Sequence, residues 1–116
     1  MLILPIKKQW FDMILSGDKK EEYREIKPYY TKRFLNLLAP YWKDFENDGE
    51  KFFLEECRAG WYEADIFEVT FRNGYSANAP SCKANVCLTI GEGKTEWGAE
   101  DGKEYYILNI KDIRES

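Results

Sequence analysis

Histidine is missing from all 116 residues. That absence removes Ser-His and Cys-His nucleophile pairs and any imidazole general base, so chemistry here falls to Lys, carboxylate, Tyr or hydroxyl groups. Cysteine is sparse: Cys57, Cys82 and Cys87 are an odd set whose closest pair is C-x4-C. A zinc site without histidine would have to recruit carboxylates, at a spacing unlike a ribbon or finger. Three free thiols, buried or half-buried, are expected, with no structural metal and no cofactor. No apolar run approaches the ~18–20 residues that a membrane span needs. Pro5, Lys7 and Lys8 close the first apolar run without a signal-peptide layout, so the expectation is a cytoplasmic protein with no membrane partner.

What remains is ordinary in amount and uneven in placement. The length suits a single domain spanning residues 1–116 with a core of its own. Net charge is −4, yet residues 1–43 carry nine Lys and Arg against five Asp and Glu, and the remaining chain carries eight against sixteen. Such asymmetry points to a local basic surface on an acidic protein. Nonspecific duplex binders are basic overall, so that class is disfavoured, whereas a small positive pocket for one or a few nucleotides is compatible.

Periodicity gives a coarse order of elements. Leu2–Ile6 reads as a strand. Lys8–Ser16 carries Trp10, Phe11, Ile14 and Leu15 at helical spacing, with Trp10 and Phe11 assigned to the core, and Gly17 ends the helix through positive φ. Lys19–Ile26 is extended, and Pro28 stops any helix running through Lys27. Thr31–Leu38 reads as a second helix with Phe34, Leu35, Leu37 and Leu38 inward. Pro40–Arg58 is the least legible stretch: Asp44–Glu50 is acidic and turn-rich, a surface excursion, and Lys51–Glu56 suits helix or strand equally. Alternation at Phe67, Val69 and Phe71 marks a strand, followed by an Asn73-Gly74 turn. Lys83–Ile90 and Tyr105–Ile110 supply two more. The expected fold is α+β, a small, strongly bent β-barrel of about five strands with two or more helices packed outside.

The segment Gly17-Asp18-Lys19-Lys20-Glu21-Glu22-Tyr23-Arg24 concentrates the chemistry. In an extended chain Glu22 and Arg24 share a face, and Lys19 lies at the turn, able to swing toward them. Strand, short helix, G-x-K-x-x-E-x-R and Lys27-Pro28-Tyr29-Tyr30, with Trp97-Gly98-Ala99-Glu100 and Tyr105–Ile110 near the other end, together resemble the ASCH domain family. This family belongs to the PUA-like superfold. The resemblance touches both ends of the chain, and its most specific element is four residues.

The resemblance implies binding of RNA or modified nucleosides in a cleft lined by that motif, which nominates Lys19, Glu22 and Arg24, with Gly17 as the structural turn. It also implies that Trp97 closes the cleft from the far side. One branch of the family hydrolyses N4-acetylcytidine and other members are described as ribonucleases. The amidohydrolase branch has threonine where this chain has Glu22, which argues against direct transfer of that activity. Physical chemistry agrees. For Lys19 to act as a base near pH 7 its pKa must fall by about three units, roughly 4 kcal/mol, and an ionised Glu22 opposes that fall.

Aromatic side chains make up 16% of the chain, enough to supply stacking surfaces for bases. Tyr23, Tyr29, Tyr30, Trp61, Tyr75 and Trp97 have polar or loop neighbours. Tyr29 and Tyr30 stand beside Lys27, Lys32 and Arg33, an interleaving common on RNA surfaces. The expected ligand-binding set is therefore Lys19, Glu22, Arg24, Tyr29, Tyr30 and Trp97, and the expected partner is single-stranded RNA or a nucleoside or nucleotide. Two alternatives stand beside it. One is a metal-independent hydrolase using Lys19 and Glu22 as an acid/base pair. The other is a protein-interaction module that docks a partner through the acidic 44–56 segment.

Overall fold

The computed structural model describes residues 2–115. Strand β1 (Leu2–Ile6) leads into helix α1 (Lys8–Ser16), which ends at Gly17 with φ of 86° and its N–H on the Ile14 carbonyl. That left-handed stop costs glycine little, and it turns the chain into β2 (Glu21–Arg24). Helix α2 (Pro28–Leu38), a 3-10 turn (Pro40–Phe45) and helix α3 (Glu46–Arg58) follow. Strands β3 (Phe67–Asn73), β4 (Ser81–Glu92) and β5 (Glu104–Glu115) complete the order.

The five strands form one mixed sheet in the order β1-β3-β4-β5-β2. β1 runs parallel to β3, and every other pairing is antiparallel. A register shift between Asn85 and Val86 marks a bulge in β4, which adds to the natural twist of long strands. The sheet curls into a half-barrel, so the fold is α+β with a small bent barrel, as expected. Ile14 of α1, Phe34 of α2 and Phe53 of α3 are fully buried against Val69, Phe71, Val86, Leu88, Tyr106 and Leu108 of the sheet.

Several elements differ from what the sequence suggests. Helix α2 begins at Pro28, three residues before the expected start, because proline suits the first helical position, where its missing N–H is not needed. Leu37 is exposed, since the stripe facing the sheet runs through Thr31, Phe34 and Leu35. The 44–50 segment is no turn-rich excursion. It contributes the end of the 3-10 turn and the first turn of α3, where Glu46 and Asp48 complement the helix dipole and Arg58 complements it at the far end. The Asn73-Gly74 turn opens a longer loop, residues 74–80, and not a tight hairpin. Trp10 is half-buried and faces a cleft, not the core.

Cys57, Cys82 and Cys87 are free and buried. Burial pushes the Cys57 thiol up to about 12 and raises Cys82 as well. Inaccessible thiols held protonated are poor nucleophiles. The native protein is expected to react with a thiol-labelling disulfide reagent at least 100-fold more slowly than the urea-unfolded chain, a contrast read from labelling rates. Equal rates would mean that the core around Cys57 opens freely. Among the described residues no helix is long and apolar enough to cross a membrane, and no three His, Cys, Asp or Glu side chains gather as a metal ion would require.

Candidate functional site

The β2 alternation puts Glu22 and Arg24 on one face, and the Gly17 turn brings Lys19 beneath them. Glu22 binds a cation with each carboxylate oxygen: Oε1 lies 3.3 Å from Lys19 Nζ and Oε2 lies 2.8 Å from an Arg24 guanidinium nitrogen. All three side chains are largely withdrawn from water. The triad carries one negative and two positive charges.

Lys19 is 1% exposed. Its ammonium donates to the Trp97 carbonyl and sits 5.0 Å from the Trp10 ring centre and 4.8 Å from that of Tyr23. Burial lowers its pKa below the ordinary value, against the opposing pull of Glu22. Burial is the larger of the two influences. In this arrangement Lys19 supports the site from below and ties down the β4–β5 loop.

Arg24 is the hinge of the site. It donates to Glu22, to the Tyr30 hydroxyl at 3.1 Å and to the Pro5 carbonyl at 2.8 Å. Pro5 belongs to β1 and Arg24 to β2, the two free edges of the half-barrel, so one guanidinium spans the seam between them. Its planar fork suits that task, because several acceptors can be held at fixed angles. Its Nε is buried without an acceptor, the single such side-chain atom among the described residues.

Three adjoining hollows meet at Arg24. The first, of about 350 Å³, is floored by Glu22 and Arg24 and walled by Trp10, Tyr23, Tyr30, Trp97 and Tyr105. The second, about 410 Å³, runs over Lys7, Lys8 and Pro5 toward Tyr75. The third, about 490 Å³, lies over Pro5, Lys27, Tyr29, Arg72 and Tyr75. The loop over the first hollow is held by side chains of the site itself: Tyr23 accepts from the Lys94 N–H, and Tyr105 accepts from the Glu100 N–H. Gly93 permits this closeness, since a Cβ there would stand 2.6 Å from the Tyr23 ring. Burial raises the Tyr23 phenol above its ordinary pKa, which keeps it a neutral hydrogen-bonding group.

Glu22, Arg24, Tyr30 and Trp97 line the first hollow, while Tyr29 lines only the third. Lys19 underlies the site without lining any of the three hollows, and Gly17 acts only as the turn. Tyr23 and Tyr75 also reach it, whereas Trp61 lines none of the three. Trp10, Tyr105 and Lys103 join the first hollow with no sequence signal of their own, as do Lys7 and Arg72 the outer two, and Lys27, marked in the sequence only as a basic neighbour of Tyr29 and Tyr30, lines the first and third. No local signal separates Trp10 from Phe11 and Ile14. Arg72 reaches the seam only because the parallel register sets it beside Pro5.

No family model matches the chain, and no curated protein or solved structure matches it.

Proposed function

We propose that this protein is an ASCH-like module that binds a nucleoside unit, free or within single-stranded RNA, in the hollow above Glu22 and Arg24. The observation that carries the reading is a small aromatic-walled hollow whose lining charges balance, Arg24, Lys27 and Lys103 against Glu22, Glu25 and Glu100. A neutral, flat, polar ligand suits such a space. Trp97 offers a ring face on exchange with Lys94, which lies 4.5 Å from its centre, and Tyr30 adds an aromatic wall whose faces Phe34, Arg24 and Lys27 already cover. A base edge meets the Glu22–Arg24 pair, and Lys27 is free of any carboxylate partner among the described residues while Lys103 leans on Glu25 at 3.8 Å. Base stacking on an aromatic ring contributes about 1–3 kcal/mol.

Metal-independent hydrolysis has one observation in its favour, the lowered pKa of Lys19. Against it, Lys19 is buried and both Glu22 oxygens are engaged by cations, so neither group is free to move a proton. Calorimetric titration with the four ribonucleoside 5′-monophosphates and N4-acetylcytidine, with product chromatography alongside, separates the readings. Binding without turnover is expected, and Trp97→Ala should weaken it about 5- to 150-fold, the equivalent of 1–3 kcal/mol of stacking. Turnover that survives chelator would transfer the site to the hydrolase reading. Silence with every ligand, or binding indifferent to Trp97→Ala, would remove the site assignment.

A further inference from the structure

We propose that the ligand is an oligonucleotide, not a monomer, and that the phosphates beyond the bound unit's own cross the barrel seam onto a separate basic subsite formed by Lys7, Arg72 and Tyr75. The inference rests on the base-binding reading of the first hollow. It adds a second site and a length to the ligand.

The charge pattern carries the argument. The first hollow is balanced, three cations to three carboxylates. Beyond Arg24 the balance tips: the second hollow has Lys7, Lys8 and Arg24 against Glu22 alone, and the third has Arg24, Lys27 and Arg72 with no carboxylate in its lining. Lys8 is partly spent on Asp12 at 2.6 Å. Lys7, Lys27 and Arg72 have no carboxylate partner among the described residues. On a chain of net charge −4, an unneutralised basic strip leading out of a neutral aromatic hollow separates two kinds of recognition. Bases are read where rings and balanced charge are found, and phosphates are held where cations stand alone.

Geometry makes the strip continuous. Pro5 takes the Arg24 hydrogen bond on one side and is the register neighbour of Arg72 on the other, one strand spacing away at about 4.8 Å. Each hollow lies within the size range, about 300–1,000 Å³, that a single small ligand fills, so a mononucleotide in the first leaves two empty. Tyr75, which lines both outer hollows, is 89% exposed. An aromatic ring standing free between two basic hollows is placed to stack on a neighbouring base.

The test compares each of the four ribonucleoside 5′-monophosphates with its homotrinucleotide on the wild type and on the Lys7→Ser/Arg72→Ser double variant. The trinucleotide of the preferred base is expected to bind at least 10-fold more tightly than its monophosphate. Its log K should fall more steeply with log salt, by about 0.7 for each added phosphate contact. The double variant should lose that gain and the added slope while its monophosphate affinity stays at the wild-type value, which also shows that it is folded. A trinucleotide no tighter than the monophosphate, or a gain that the double variant keeps, would overturn the subsite and leave the first hollow as a monomer site. Absence of binding by monophosphates and trinucleotides alike would overturn both.

Discussion

Glu22→Gln is expected to lower the melting temperature by about 10–20 °C, the equivalent of about 3–5 kcal/mol in a chain of this size. The glutamate is the sole anion between two cations that are themselves nearly out of water, Lys19 and Arg24. Glutamine keeps the shape, but its NH2 must face one of the two cations, and its single carbonyl satisfies only the other. Removing one member of a buried ionic cluster costs far more than the cluster's net contribution, because the remaining charges stay buried and uncompensated. The pH dependence supplies a second readout. Burial already holds Lys19 below its ordinary 10.5 in the folded chain, with Glu22 resisting. Between the folded value and 10.5 the unfolded chain binds more protons, so stability rises with pH across that interval. Removing Glu22 deepens the depression and widens the interval. The stability gap between Glu22→Gln and the wild type should therefore narrow as the pH is raised from 7 toward 10 in denaturant titrations. A variant that melts within about 2 °C of the wild type, well under the shift for 1 kcal/mol, would show that the cluster is not holding the seam.

The parts of this architecture that are local in sequence are also the parts that can be read from it. Helix α1 is bounded by an apolar stripe and a glycine stop, and Glu22 and Arg24 meet because extended chains alternate. The same logic fails where a residue's meaning comes from elsewhere in the chain. Asp44, Glu46 and Asp48 look like turn formers beside Gly49, yet acidic residues in a first helical turn are equally a helix signal, and the choice is made by Phe53 and Cys57 packing under the sheet. Tyr29 and Tyr30 look like loop aromatics because Pro28 reads as a breaker when it is in fact a helix start. Arg72 is the sharpest case. Nothing near it marks it as part of a site, and its position depends on a parallel pairing between strands more than sixty residues apart, which periodicity does not specify. Family resemblance directs attention to Lys19. The structure gives that lysine a supporting place and puts Arg24 at the junction of the hollows.

Gly49→Ala should destabilise the protein by about 1–3 kcal/mol, although helix propensity alone predicts a gain near 1 kcal/mol. Gly49 lies inside α3, where alanine is the better helix former by every intrinsic measure. Its neighbour decides the sign. A Cβ at this position would stand 1.9 Å from the Trp42 carbonyl oxygen and 2.9 Å from the carbonyl carbon, both backbone atoms of the preceding 3-10 turn. A flexible side chain could swing away, but this backbone is held on several sides. The Trp42 ring packs against Tyr41, Phe45 and Phe52. Its Nε1 donates at 2.7 Å to Glu56, a buried carboxylate that also accepts from the Tyr62 hydroxyl. Moving the turn far enough to admit a methyl group pulls Trp42 off Glu56, and a buried acceptor that loses a donor forfeits its desolvation compensation. Near-ultraviolet dichroism should change along with the melting temperature, because the Trp42 ring loses its fixed surroundings. Nucleotide binding measured well below the melting point should be unaffected, since this corner shares no residue with the three hollows. Equal or greater stability in Gly49→Ala would mean that α3 can shift outward at little cost, and that the glycine is there for some reason other than close approach.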